Sequence, residues 1–484
     1  MVVLNAMSAI IVVLALACAD MTGLQMPAGV AISKAEKISD NLPPRCRVDG
    51  VIDQRNGSGG KTYGISFALA LPDNWNGRFL FQGGGGLNGS VQNPVGAQAA
   101  GEASALARGF TVVTTDTGHK GTGAFDGSFM ADQQAALDFY YVAIGRVAPL
   151  AKDLIARYYG RPADHSYYVG CSTGGREGMI MSQRYPGYFD GIVSGDPAIR
   201  TGHSNLGLAY FAASINGITP KLTDGDKKLV VDAIVKTCDE KDGLKDGMIF
   251  NTKACDFNPA MLTCSGSKTE SCLTADQASG IQKAFAGPKD SRGNQIYPAF
   301  PFDAGIIDPA NIPGILLSGG RSPLNPPSTT AGFDVDKAAW DVAANATARA
   351  GDATWTNLST FSGHGGKLIF YHGMSDPWFS PLETVRYYEN MSRENGGIEN
   401  VKNWSRLFLV PGMGHCSGGT ATTDSFDMLS AIVNWVESGK APDSVVAKSR
   451  TSPARTRPLC AYPAHAQYTG NGDSQDARNF VCRD

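Results

Sequence analysis

The chain has 484 residues, which at about 100–200 residues per domain allows two or three units, or one large α/β body with an insertion. Hydrophobic residues make up 42% and charged residues 18%, which excludes disorder and collagen-like repeats. Lys+Arg 42 against Asp+Glu 45 gives a net charge of −3, so no basic surplus exists to neutralise a phosphate backbone, and no nucleic-acid partner is expected.

The first element in chain order is an apolar run, Ala9–Ala17. Crossing a bilayer takes about 20 apolar residues, so this run is too short to span one. Small residues follow at Ala17, Cys18 and Ala19, and residues 1–19 read as a signal peptide, although Met1–Ser8 carries no Lys or Arg. A buried N-terminal strand or helix, or a lipoprotein anchored at Cys18, are the other readings of the same run. No later stretch reaches membrane-spanning length, and a secreted or periplasmic protein is expected. Met21–Leu42 is polar and reads as loosely held.

Strand-like and helix-like runs then alternate. Gly77–Phe81, Phe110–Thr115, Tyr167–Val169, Gly191–Val193, Leu368–Tyr371 and Leu407–Val410 are short, apolar and β-branched or aromatic. Phe129–Tyr159 has helical spacing, and Met428–Val436 reads as a closing amphipathic helix. Uninterrupted apolar strands alternating with helices indicate an α/β fold with a mainly parallel sheet covered on both faces. Between about Thr201 and Gly363 strands are hard to find and four of the ten cysteines cluster. The expected division is therefore an α/β body in two parts, 20–200 and 364–484, interrupted by an inserted domain at 201–363.

Gly170-Cys171-Ser172-Thr173-Gly174 fits the pattern G-x-S-x-G between a strand and a helix. A serine at such a turn is raised above the sheet edge, with the positive end of the following helix beneath a developing oxyanion. A serine hydroxyl needs a base, and the base needs an acid to orient it. His415, in the glycine-flanked loop after Leu407–Val410, and Asp376, just past Leu368–Tyr371, supply them in the order Ser, Asp, His. The bland alternatives are an Asx-turn at Asp376 and a satisfied loop histidine at His415.

Cys171 precedes the candidate nucleophile and Cys416 follows the candidate base. A bond between them requires Cα atoms about 4.4–6.8 Å apart and would pin Ser172 beside His415. Three further spacings suit local disulfide loops: Cys238 with Cys255, Cys264 with Cys272, and Cys460 with Cys482. If Cys18 leaves with the leader, one of nine cysteines is odd, and Cys46 is the candidate free thiol. No CxxC pair favours zinc.

Two backbone amides are needed to hold an oxyanion. Thr173, directly after the serine, is one; Gly84 and Gly85 of the run Gly83–Gly86 are candidates for the other. In the insertion, Cys238-Asp239-Glu240-Lys241-Asp242-Gly243-Leu244-Lys245-Asp246-Gly247-Met248 gathers carboxylates in a glycine-bearing loop. It reads either as a calcium loop unlike an EF-hand or as a solvated acidic turn.

The stretches GCSTGGREG, YHGMSDPWFS and LVPGMGHC, with their Cys-Ser, Asp and His-Cys arrangement, resemble the tannase and feruloyl esterase family, which includes mono(2-hydroxyethyl) terephthalate hydrolases. The resemblance covers nearly the whole chain past the leader. It implies an α/β-hydrolase fold, a large lid inserted between nucleophile and acid, and structural Ca2+ in that lid, with no organic cofactor. It implies side-chain ligation by Asp239, Asp242 and Asp246 and carbonyl ligation by Leu244 and Met248. It implies the same three local disulfides, and in many members a further N-terminal bridge for which Cys46 has no evident partner. The terephthalate enzymes carry Glu where Thr173 stands.

The activity so implied is hydrolysis of an aromatic carboxylic ester of feruloyl, galloyl or terephthaloyl type, through an acyl-enzyme, with a small-molecule aromatic ester as substrate. Phe379 and His372 are candidate pocket residues, with Trp355 and Trp340 as weaker lid candidates. The rival readings are a peptidase or amidase on the same scaffold, and a non-catalytic binding protein.

Overall fold

The structure is a computed structural model that describes residues 16–309, 312–321, 333–452 and 454–484. Nine strands form one sheet: β1 (Val30–Ile38), β2 (Arg45–Asn56), β3 (Thr62–Pro72), β4 (Arg78–Gln82), β5 (Thr111–Thr115), β6 (His165–Cys171), β7 (Gly191–Gly195), β8 (Lys367–Gly373) and β9 (Ser405–Val410). Their spatial order is β1-β2-β3-β5-β4-β6-β7-β8-β9. From β5 to β9 every pairing is parallel, as expected. The other side is not: β1, β2 and β3 are antiparallel, and β3 joins β5 antiparallel. Met21–Leu42 is therefore not a loose segment, because it contains edge strand β1. Ser33, Lys34, Glu36 and Lys37 in that strand suit an edge that must not recruit another chain.

The parallel strands are apolar on both faces because both are covered. Phe79 and Phe81 of β4, Tyr168 of β6, Ile192 of β7 and Phe370 of β8 pack with helices α1 (Ala143–Tyr159) and α2 (Thr173–Arg184). The alternate residues Leu80, Tyr167, Val169, Val193 and Ile369 face the other way. The single helix expected over Phe129–Tyr159 is divided. Asp132 caps a short helix at Gln133–Leu137, and a π-turn at Asp138–Val142 precedes α1.

Strands β7 and β8 are neighbours in space, and the described residues between them contribute no strand to the sheet. Its main helices are α3 (Thr201–Gly217), α4 (Asp224–Cys238) and α5 (Ala275–Ala286). They enclose a separate core that includes Phe211, Ile234, Ile281, Phe285, Tyr297 and Phe300. The insertion ends earlier than expected, because Ala353, Leu358 and Phe361 already pack in the body's core. After β8, helix α6 (Pro381–Glu394) continues the first face, and after β9 helix α7 (Met428–Ser438) covers the second.

Five disulfides are present: Cys18–Cys46, Cys171–Cys416, Cys238–Cys255, Cys264–Cys272 and Cys460–Cys482. Cys46 is thus not an odd thiol. Its partner Cys18 is buried in the folded body, so a leader ending at residue 19 is incompatible with this bond and any cleavage must precede Cys18. Most of the apolar run assigned to that leader lies outside the described residues. No helix among the described residues is long and apolar enough to cross a membrane.

Candidate active site

Strand register brings the site together. Cys171 pairs with Gly195, which pairs with Tyr371, which pairs with Phe408, so the C-terminal ends of β6 to β9 align. Ser172 leaves that edge as the residue between β6 and α2, with φ 65° and ψ −121°. This is a strained conformation for a non-glycine residue. Its neighbours must be small: a Cβ on Gly170 would lie 2.6 Å from the Gly174 backbone, and one on Gly174 would lie 2.7 Å from the Gly84 carbonyl. The Ser172 amide donates to the Gly195 carbonyl at 3.0 Å.

Asp376 and His415 are in contact. His415 Nδ1 lies 2.7 Å from Asp376 Oδ2, and both residues are buried. Asp376 Oδ1 accepts from the amides of Trp378 at 2.8 Å and Phe379 at 3.1 Å. Burial alone would raise the Asp376 pKa, but the imidazoles of His415 and His372 outweigh it and hold the carboxyl well below the usual range. For His415 burial acts against the charged ring, and the carboxylates of Asp376 and Asp196 overcome it, raising its pKa. His415 Nε2 is buried without a partner, so the contact to Ser172 Oγ is not closed. Catalytic hydrogen bonds of this kind often tighten only when substrate binds.

The Cys171–Cys416 bond sets the Cα atoms of those residues 6.0 Å apart across 245 positions of sequence. Beneath it lies Asp196, which sequence reasoning missed. Its Oδ1 accepts from the Gly373 amide at 2.8 Å and its Oδ2 accepts from the Cys416 amide. One fully buried carboxylate thereby holds the loops after β8 and β9, and burial pushes it up to about 6. The available signal was its position directly after a strand.

His372 is not a pocket residue. It is wholly buried, with Nδ1 2.8 Å from Thr384 Oγ1 and Nε2 3.2 Å from Asp376 Oδ2 and 3.1 Å from the Phe379 carbonyl. Facing two acceptors, Nε2 carries the proton and donates to both, which supports Asp376 from behind. Phe379 is half-buried, its ring centre 5.3 Å from that of His415. Trp378, which sequence reasoning passed over, is closer at 4.9 Å, and Phe125 meets Trp378 edge-on at 5.8 Å. Trp340 and Trp355 are 72% and 65% exposed.

Of the two candidate glycines, Gly84 is excluded as an oxyanion donor because its amide is taken by Glu177 Oε2 at 3.0 Å. The amides of Gly85 and Thr173 bond to no described residue. Thr173 Oγ1 donates to the Gly86 carbonyl, tying this loop to the start of α2.

A cleft of about 670 Å³ opens between the insertion and Trp378, walled by Ile215, Ile312, Leu316 and Leu317. A smaller cavity of about 230 Å³ touches His415, Ser375, Gly305 and Ile312. A further cavity of about 830 Å³ is lined by Phe257, Phe302, Leu382 and Tyr462, and by none of Ser172, Asp376 and His415.

In the acidic loop Asp239 and Asp242 are buried, and burial raises both carboxyls, Asp242 to about 7. Their oxygens accept from loop amides, including Gly247 at 2.9 Å and Phe250 at 2.9 Å. Asp246 pairs with the fully buried Arg457. Asp239 and Asp242 thus face backbone amides and Asp246 alone pairs with a guanidinium, a donor set of hard oxygens with negative charge to spare, which fits a hard cation. Among the described residues their oxygens are not drawn to within 4.8 Å of one another.

A sequence profile described as "Tannase and feruloyl esterase" matches residues 46–315 and 321–483. The chain is 38% identical to a mono(2-hydroxyethyl) terephthalate hydrolase of Piscinibacter sakaiensis, covering 91% of this chain and 85% of that protein. It is 32% identical to a probable feruloyl esterase of Arthroderma benhamiae, covering 86% and 82%. The crystal structure of feruloyl esterase B from Aspergillus oryzae superposes with a TM-score of 0.79 at 25% identity, covering 96% of this chain and 99% of that one. Tannin acyl hydrolase from Aspergillus niger shares the fold with a TM-score of 0.75 at 21% identity, covering 96% and 94%.

Proposed function

The chain belongs to the tannase and feruloyl esterase family and is a carboxylic ester hydrolase of α/β-hydrolase fold, and from that premise we propose that it cleaves esters of aromatic carboxylic acids by way of a Ser172 acyl-enzyme. The observation that carries this reading is the 2.7 Å Asp376–His415 contact on a loop that a disulfide fastens beside Ser172.

Ser172 Oγ adds to the ester carbonyl carbon while His415 Nε2 takes its proton. The negative oxygen that forms is held by the amides of Thr173 and Gly85. Asp376 keeps the imidazole in the required tautomer and stabilises its charge. Collapse of the tetrahedral adduct breaks the ester C–O bond, and the departing alcohol leaves with the proton from His415. Water then adds to the acyl-serine carbonyl as His415 Nε2 takes its proton; collapse of that adduct breaks the C–Oγ bond, and His415 returns the proton to Ser172 Oγ as the aromatic acid leaves. Trp378 and Phe379 flank His415, and aromatic walls of this kind suit an aromatic acyl group.

Ca2+ is proposed at Asp239, Asp242 and Asp246, with the Leu244 and Met248 carbonyls. When bound it would supply charge neutralisation to a buried acidic loop and take no part in the reaction. Five disulfides fit an oxidising compartment, and the protein is proposed to act outside the cytoplasm.

Turnover of methyl ferulate, methyl gallate, mono(2-hydroxyethyl) terephthalate and a peptide anilide tests the substrate class. The reading requires hydrolysis of at least one aromatic ester. Turnover of the anilide alone would replace it with an amidase.

A further inference from the structure

The acid and base loops are both tied to one residue of the insertion. Asp303 is fully buried and stands just ahead of the 3-10 turn Ala304–Ile307. Its Oδ2 accepts from Ser375 Oγ at 2.6 Å and from the Gly412 amide at 2.8 Å. Ser375 immediately precedes Asp376, and Gly412 lies three positions before His415. The Gly305 amide closes the same cluster by donating to Ser375 Oγ at 3.0 Å. The approach is too tight for a side chain: a Cβ on Gly305 would lie 2.6 Å from Ser375 Oγ and 2.8 Å from the Gly412 carbonyl. The two loops also bond each other, from the Ser375 amide to the Met413 carbonyl at 2.9 Å.

A carboxyl group removed from water needs its hydrogen-bonding capacity used, yet Asp303 Oδ1 has no partner. The residue therefore sits there at a cost, and both bonds it does make lead to the loops that carry Asp376 and His415. We infer that Asp303 is a positioning residue for the Asp376–His415 pair, so that the insertion holds the acid and base loops in register as well as covering the site. The inference rests on the roles proposed above for those two residues.

The test compares D303A, D303N and S375A with the unaltered protein. Each is titrated to endpoint with a fluorophosphonate, so that kcat is expressed per reactive Ser172. In D303A the loops lose their shared acceptor, and kcat falls about 10- to 100-fold while KM changes little, the scale seen when an outer support of a site is removed. The acidic limb of kcat/KM also moves to lower pH, because an imidazole held less closely to Asp376 loses its proton more readily. Asn in D303N keeps one oxygen for Ser375 and Gly412 and places its NH2 where no partner exists, so kcat stays close to the unaltered value.

A D303A variant with unchanged kcat and an unshifted acidic limb, whatever its melting temperature, overturns the inference. If D303A does not fold, S375A decides: a lowered kcat with the same shift supports the inference, and no change in either overturns it. If the unaltered protein fails to label, the proposed reaction fails and this inference fails with it. Labelling with kcat insensitive to Asp303 and Ser375 overturns this inference alone.

Discussion

The backbone amide of Gly84 donates to Glu177 Oε2 at 3.0 Å, from a loop beside Ser172 to the helix that follows it. The same buried side chain accepts from Tyr168 Oη at 2.8 Å and Asn88 Nδ2 at 3.2 Å. Burial raises the Glu177 pKa, against the nearby Arg176 and these three hydrogen bonds. Replacing Glu177 by Ala would leave the Gly84 amide and Asn88 Nδ2 without this acceptor, each costing about 1–3 kcal/mol, while Tyr168 Oη keeps the Gly174 carbonyl at 2.9 Å. Because Gly85 follows Gly84, E177A is expected to lower kcat on an aromatic ester by at least about 10-fold, the scale of a damaged oxyanion site. E177Q, which can still accept from Gly84, is expected to retain more activity. Steady-state kinetics on the two variants check the order.

Phe125 comes from the loop after β5 and meets Trp378 edge-on. A ring pair of this kind is worth about 0.5–1.5 kcal/mol. The F125A variant is expected to raise KM for methyl ferulate by roughly 3- to 10-fold, in line with that energy, while leaving KM for an acetyl ester nearly unchanged. Measuring both esters on the same preparation separates a substrate contact from general damage.

The Cys171–Cys416 bond closes a loop of 245 positions. The chain-entropy treatment assigns such a loop at most roughly 5 kcal/mol, and losses of 2–5 kcal/mol are usual when a native disulfide is removed. The paired C171S/C416S variant is expected to melt at lower temperature and to react more slowly with a fluorophosphonate, because Ser172 and His415 are then held together only by the surrounding fold. Calorimetry and labelling rate check the two halves separately.

Removal of divalent cations by a chelator is expected to lower the melting temperature, and added Ca2+ to restore it. The buried carboxylates of Asp239 and Asp242 otherwise face only backbone amides, and only Asp246 beside them pairs with Arg457. D246N should reduce the restoration, and Mg2+ should restore less, since it demands a tighter geometry than a loop of this kind offers.

What could be read from the sequence was local. Ser172, Asp376 and His415 each sit on a short segment directly past an apolar strand, so one pattern served for all three. The family resemblance rested on the same segments, and the profile match bears it out. Strand β1 escaped because an edge strand with Lys34, Glu36 and Lys37 has no apolar run to betray it. Cys18–Cys46 was hidden by the assumption that Cys18 departs with a leader. His372 was misplaced because a residue at a strand end can face the cleft or the interior, and only its packing against Thr384 decides. Glu177 and Asp303 act through partners far along the chain, such as Gly84 and Gly412, which no local pattern reveals, whereas Asp196 offered only its place directly after a strand.

The central claim is that His415, polarised by Asp376, activates Ser172. The most direct measurement is mass spectrometry of the fluorophosphonate-treated protein beside its S172A, H415A and D376N variants. The account predicts one adduct on Ser172 in the unaltered protein, none in S172A, and labelling slowed by orders of magnitude in H415A and D376N. An unlabelled native protein, or H415A labelling at the native rate, would contradict it.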